Sequence, residues 1–252
     1  LEDEKITFEQ YRQAIIDSIW FNFKKYREEI KAPHFVFYIK EYLANKYGQD
    51  ILEEWWLKIY TTLDLDAQNK AEEIIKKQVE TNKSLNASNS ALISIDNKYW
   101  DVVAYVWSAD YFNEEIWWNV NIITSKRQPG SSFKSLVYSL AIDKNAIWPL
   151  TPIYDTKTTF PWDYTPNNYD LKTMWKMTIL TALNYSRNIP AVKAYYLAWW
   201  QNAIIESLKA FWINSLNSKF NYWAPLSLWA WEVTPFEMVQ AYSVFANLWT
   251  KI

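Results

Sequence analysis

Ser131 and Lys134 form the only Ser-x-x-Lys of the chain, inside the run Arg127-Gln128-Pro129-Gly130-Ser131-Ser132-Phe133-Lys134. A serine hydroxyl is a poor nucleophile until a neighbouring base takes its proton. An amine one helical turn away can be that base when burial lowers its pKa. Pro129 and Gly130 interrupt what precedes them, and from Ser131 to Ile142 the apolar residues Phe133, Leu136, Val137, Leu140 and Ala141 recur at helical spacing. That spacing puts Ser131 and Lys134 on one face, beside first-turn amides that favour negative charge. Taken alone, the tetrad equally describes a capping serine followed by a solvated lysine.

The composition narrows the chemistry further. At 252 residues the chain is long enough for one large domain or two smaller ones with a real core. A formal net charge of -2 gives no electrostatic reason to expect a nucleic-acid partner. With no Cys and a single His, cysteine nucleophiles, disulfides and Cys/His zinc sites are excluded, and no cofactor is expected. His34, beside Pro33 and far from any motif, reads as structural. No run of about 18 apolar residues and no signal peptide is present, so an anchor or export signal is expected outside these residues.

The elements that must position Ser131 and Lys134 alternate between the two periodicities. Thr7 to Ile19 opens with a capping box, Thr7 and Gln10, and reads as an amphipathic helix. A helix from Pro33 to Gly48 turns Val36, Ile39 and Leu43 inward, and Leu57 to Thr61 reads as a short strand. Asp64 caps a helix with Ala71, Ile74, Ile75 and Val79 inward; a polar loop follows over residues 81–90. Ala91 to Ile95 and Val102 to Val106 form a predicted hairpin. After a Pro-punctuated stretch, 149–170, helices are predicted over Met177 to Tyr185, from Pro190, and over Ala203 to Phe211. The last opens with the box Thr234-Pro235-Phe236-Glu237 and ends near Asn247.

The run around Ser131 resembles the active-serine segment of the penicillin-binding proteins, whose signatures are Ser-x-x-Lys, Ser-x-Asn and Lys-Thr-Gly. The resemblance extends over nearly the whole chain and is to the class A members. Residues 1–31 look like the tail of an upstream glycosyltransferase domain, 32–88 like the interdomain linker region, and 89–252 like the first part of a transpeptidase domain. Ala32-Pro33-His34-Phe35-Val36 and Tyr60-Thr61-Thr62-Leu63-Asp64 carry the linker likeness. Ser108-Ala109-Asp110-Tyr111-Phe112 and Asn119-Val120-Asn121 fit the approach to the serine, Glu232-Val233-Thr234-Pro235 fits a later helix start, and Ala182 to Pro190 fits the second motif.

The fold this implies is α/β, of α+β type: the penicillin-binding and serine β-lactamase-like transpeptidase fold, incomplete at its C-terminal end and preceded by a mixed helical linker region. The implied activity is D,D-transpeptidation of peptidoglycan stem peptides. Ser131 would be the nucleophile, Lys134 its general base, Ser186 a proton relay to the leaving amine, and Asn188 the holder of the substrate amide. The implied partners are stem peptides, β-lactams as covalent inhibitors, and other cell-wall synthesis proteins. The implied location is the extracytoplasmic face of the cytoplasmic membrane. Ser84-Leu85-Asn86 and Ser215-Leu216-Asn217 also satisfy Ser-x-Asn; Ser186 is preferred for its helical context and flanks. Lys157-Thr158-Thr159 and Lys172-Thr173-Met174 do not complete the third motif. These residues are therefore expected to be a fragment that is inactive alone. Two other readings stay open: a serine D,D-carboxypeptidase or β-lactamase-like hydrolase, with water as acceptor, and a non-catalytic glycan-binding module.

One count is abnormal. The chain holds 2 Gly and 17 Trp, where ordinary usage predicts about 18 Gly. Trp55-Trp56, Trp100, Trp107 and Trp229-Ala230-Trp231 stand at element boundaries where glycine is expected, and the pairs 55/56, 117/118 and 199/200 make poor core residues. The expectation is that tryptophan occupies glycine positions, as when a UGA codon read as glycine in its own lineage is translated as tryptophan. Many Trp side chains should then be exposed, or their backbones strained. The opposing reading is a Trp-rich protein that stacks sugar rings on indoles.

Overall fold

The computed structural model describes residues 6–20, 30–54, 57–113, 115–116, 120–145, 147–216, 219–220, 222–228 and 231–247. Trp55, Trp56, Trp117, Trp118, Asn119, Asn217, Trp229 and Ala230 lie outside the described residues. The chain divides into two compact units, Leu1–Lys31 and Ala32–Ile252.

The first unit contains α1 (Phe8–Trp20). Its start is the expected capping box: the Thr7 amide donates to Gln10 Oε1 at 2.8 Å and the Gln10 amide to Thr7 Oγ1 at 3.2 Å. These bonds satisfy two amides that no helical carbonyl can reach.

The second unit opens with α2 (Pro33–Tyr47), started by Pro at its first turn and stopped at Gly48, then α3 (Gln49–Glu54) and α4 (Leu65–Asn82). The inward face of α2 is His34 and Phe35, with Tyr38 and Ile39 partly buried; Val36 is 42% exposed, against expectation. Residues 57–61 form no strand: they are exposed coil. Only from Thr62 does this segment meet residues 102–106, through Thr62 Oγ1 to Val102 O and the Asp64 amide to Val103 O. Asp64 caps α4 by accepting from the Ala67 amide at 2.9 Å. Ala71, Ile75 and Val79 face inward, whereas Ile74 is exposed. The hairpin β1 (Leu92–Ile95) and β2 (Val102–Val106) is antiparallel with a bulge at Ser94/Ile95, and α4 lies across it.

Past the hairpin, Gly130–Phe133 is a 3-10 turn that leads into α5 (Lys134–Asn145). Leu136, Val137, Tyr138, Leu140 and Ala141 are all buried, so α5 is buried around its circumference and acts as the central post of the core. A second hairpin, β3 (Pro152–Asp155) with β4 (Trp175–Thr178), was not expected, and Met177 lies in it and not in a helix. The β4 register pairs Met177 with Ile153 and buries both, which helical spacing alone did not distinguish. Thr178 ends the strand and caps α6 (Ile179–Asn184), which is followed by α7 (Asn188–Leu197), α8 (Trp200–Ala210) and α9 (Pro235–Ala246). The predicted capping box at Thr234 and Glu237 starts α9.

Among the described residues seven tryptophans, at 100, 162, 175, 199, 200, 212 and 223, have φ between 55° and 70°. Side chains rarely tolerate that region, and Trp223, with φ 55° and ψ -156°, lies where essentially only glycine goes. Trp162, Trp175 and Trp199 are also more than half exposed. Trp107 and Trp231 depart from the expectation: both are buried at ordinary φ, Trp107 among His34, Tyr105 and Tyr111, and Trp231 against Phe133. Nothing in their backbone requires glycine.

Candidate active site

Gly130 takes φ +56° and lets the chain turn sharply into Ser131. The turn is fixed on three sides. Ser132 Oγ donates to Pro129 O at 2.6 Å, and the ring of Phe133, wholly buried, packs on Trp231. The Tyr242 hydroxyl, on α9, donates to Ser132 O at 2.5 Å. Arg127 and Val233 exchange both backbone hydrogen bonds, at 2.8 and 3.0 Å, which ties the approach to the serine onto the residue before the α9 cap. Ser131 sits on the 3-10 turn and not in the α-helix proper. In a 3-10 turn residues three apart eclipse, so Ser131 and Lys134 still share a face, with Ser131 exposed and Lys134 1% exposed.

Lys134 opens α5 and points into the joint between α6 and α7. That joint is made by a left-handed C-cap. The Ser186 amide donates to Leu183 O and the Arg187 amide to Ala182 O, both at 2.9 Å, and Ser186 takes φ 51°. This is the two-bond pattern that usually ends on glycine, and here it carries a serine. Two residues later α7 begins. The Lys134 ammonium donates to Ser186 O at 2.7 Å, Ser186 Oγ at 3.1 Å and Asn188 Oδ1 at 2.6 Å. All three of its hydrogens are thereby used.

Burial, and secondarily the Arg187 charge, lower the Lys134 pKa from 10.5 to about 8. The three acceptors favour the ammonium, but loss of solvent outweighs them. Lys134, Ser186 and Asn188 are thus joined by hydrogen bonds, and Ser131 lies one turn before Lys134. The other Ser-x-Asn runs are turned elsewhere: Ser84 Oγ bonds Thr81 O, and Ser215 Oγ bonds Glu237 Oε2 at 2.6 Å.

Sequence reasoning missed the groups behind the joint. Asp155, at the end of β3 and fully buried, accepts from Arg187 Nε at 2.9 Å, Asn168 Nδ2 at 2.8 Å and the Met174 amide at 2.9 Å. Their signal was an unremarkable Asp and an Asn inside a Pro-rich loop, which no spacing rule marks. His34 is structural, as expected, but it is paired. Its Nε2 lies 2.8 Å from Ser108 Oγ, and burial lowers its pKa to about 4. No group of three or more His, Cys, Asp or Glu able to hold a metal is found among the described residues. None of their helices is long and apolar enough to cross a membrane.

Comparison with known proteins gives the family. Penicillin-binding protein 2D of Bacillus subtilis is 33% identical over 88% of this chain and 32% of its own length. Penicillin-binding protein 1A of Aquifex aeolicus is 26% identical over 100% of this chain and 45% of its own. The chain therefore spans less than half of these relatives. Among solved structures, penicillin-binding protein 1A from Haemophilus influenzae superposes with a TM-score of 0.72 at 18% identity, covering 98% of this chain and 50% of that one. PonA1 from Mycobacterium tuberculosis, in complex with penicillin V, gives 0.65 at 18% identity over 86% of this chain and 59% of that one. The family model of the penicillin binding protein transpeptidase domain matches residues 91–250, which hold the hairpin, the serine turn and the Lys134 cluster, and the chain belongs to that family.

Proposed function

We propose that this chain is the serine-bearing part of a peptidoglycan D,D-transpeptidase that cross-links stem peptides through an acyl-enzyme on Ser131. The observation that carries the reading is the buried Lys134, one turn from an exposed serine, with its Nζ on Ser186 and Asn188. In the neutral form Lys134 takes the Ser131 proton as Oγ bonds to the carbonyl carbon of the penultimate D-Ala. The Ser131 amide forms one arm of the oxyanion hole. The C–N bond to the terminal D-Ala then breaks, and its nitrogen receives the proton from Lys134 through Ser186. Free D-Ala leaves an ester on Ser131. An amine of a neighbouring stem attacks that ester, its proton passes to Lys134, and Ser131 Oγ regains a proton as the cross-link forms. A β-lactam enters at the first step and stays as the acyl group.

Residues 1–31 are assigned to the tail of a glycosyltransferase domain, 32–88 to the linker region and 89–252 to the beginning of the transpeptidase domain. The test is labelling of the whole gene product with a fluorescent penicillin. Covalent label is expected, and none after Ser131→Ala. A folded whole product that takes no label overturns the reading.

A further inference from the structure

We propose that Arg187, Asp155 and Asn168 are positioning residues for this reaction, a buried clamp that holds the joint between α6 and α7 so that Ser186 and Asn188 converge on Lys134. The inference rests on the transpeptidase reading of the site. Arg187 is the middle residue of the joint, and its side chain turns away from Lys134 into the protein at 5% exposure. Its guanidinium reaches two chain segments, the end of β3 and the loop at residues 170–172. Nε meets Asp155 Oδ2 at 2.9 Å, Nη1 meets Asp170 Oδ2 at 3.0 Å, and Nη2 donates to Lys172 O. Such a planar fork cannot be reproduced by a lysine ammonium.

Asn168 closes the loop. Its Nδ2 donates to Asp155 Oδ1 and to Lys172 O, both at 2.8 Å, while its Oδ1 accepts from the Asn188 amide at 2.8 Å. The residue before α7 offers no side-chain cap, so Asn168 satisfies the helix's first amide from outside. Asn188 Nδ2 is in turn fixed on Asn167 O at 2.8 Å, which leaves Oδ1 facing Lys134. Each of the two motif residues that touch Lys134 is thus oriented by a neighbour anchored on Asp155.

The clamp also sets the local field. Asp155 and Asp170 face the guanidinium, the Tyr138 hydroxyl on α5 and Lys193 on α7 feel Asp155, and Lys134 feels Arg187. Removing the Arg187 charge therefore moves the Lys134 titration upward, while a lysine at 187 keeps the charge and loses the fork.

The experiment is the rate of acylation of the whole gene product by a fluorescent penicillin, measured across pH for wild type, Arg187→Met and Arg187→Lys. Arg187→Met is expected to acylate roughly tenfold to a hundredfold more slowly, from misplacement of the motif, with the rising limb that Lys134 sets displaced to higher pH. Arg187→Lys is expected to be slower with the limb unmoved. Both variants acylating at the wild-type rate and pH overturns the clamp while leaving Ser131 as the nucleophile. Wild type taking no label instead overturns the transpeptidase reading. If Arg187→Met does not fold, Arg187→Lys decides, because a wild-type rate there means the fork positions nothing.

A different observation carries a second inference. We infer that the natural protein has glycine at Trp100, Trp162, Trp175, Trp199, Trp200, Trp212 and Trp223. These seven supply more than half of the twelve positive-φ residues other than glycine among the described residues, in a chain with 2 Gly. Two of them are consecutive, which no bulky pair favours. The codons at the seven sites are expected to be UGA, and peptides of the protein isolated from its own cells are expected to carry glycine there by mass spectrometry. UGG codons, or tryptophan in those peptides, overturn it.

Discussion

At the scale of the residue, one amine governs what the site can do. With a pKa of about 8, Lys134 is neutral in roughly a tenth of molecules at pH 7 and in most at pH 9. Only the neutral form can accept the Ser131 proton, so acylation by penicillin is expected to rise about tenfold between those values. A flat profile over that range would remove Lys134 as the base. Stability follows with the same sign. The unfolded chain holds this proton up to 10.5 while the folded one releases it near 8, so the contribution of Lys134 is least favourable below pH 8 and improves as pH rises from 8 to 10.5. Ser186 bears the complementary burden. It occupies a φ of 51° that a glycine would relieve, but glycine would remove the hydroxyl bonded to Lys134.

At the scale of the element, the turns record what the side chains oppose. Trp175, exposed and at φ 62°, begins β4 without a packing reward. Trp175→Gly is expected to raise stability by about 1 kcal/mol, the order of the left-handed penalty. Trp231→Gly is expected to lower it by about 3 kcal/mol, because that indole is 3% exposed, lies against Phe133 and donates to Leu226 O. Urea unfolding of the two variants separates a tryptophan in a glycine position from a tryptophan in the core, and changes of equal sign would contradict the distinction. The same turns explain how much of the fold was legible. Helices with a cap and a clear apolar stripe, such as α1, α4 and α9, were readable because each signal is local. The β3–β4 hairpin was not, since four-residue strands separated by a 19-residue loop leave no periodic signature, and one of them starts on a tryptophan. Ser131, Lys134, Ser186 and Asn188 were singled out by motif and flanks, and the structure joins Lys134 to Ser186 and Asn188. Asp155 and Asn168 were invisible, since their roles arise from contacts 32 and 20 residues away in sequence.

At the scale of the whole unit from Ala32 to Ile252, the serine depends on segments far along the chain. Arg127 on its approach is bonded to Val233, the Ser132 carbonyl to Tyr242, and the hairpin turn at Asn97 to Asn247. Phe236, the second residue of α9, donates its amide to Ile123 O, so the serine turn and the α2/β2 core are braced by the same helix start. His34 lies inside that second core. Its Nε2 pairs with Ser108, and its Nδ1 is buried with no hydrogen-bond partner among the described residues, so a proton added there would have no acceptor. Burial, reinforced by Lys76 and opposed by Asp110, holds the ring neutral down to about pH 4. The folded pKa lies below the ordinary 6.5, so the unfolded chain gains the proton first, and stability is lost as pH falls from 6.5 towards 4. At 1.36 kcal/mol per pH unit this amounts to about 3 kcal/mol across the window. Urea unfolding at pH 7 and pH 4.5 should therefore show a loss about 2 to 3 kcal/mol smaller in His34→Gln than in wild type, since glutamine keeps a donor for Ser108 without titrating. An equal acid loss in both proteins would mean that carboxylates alone set the acid limit, and that the α2/β2 core feels no charge at His34.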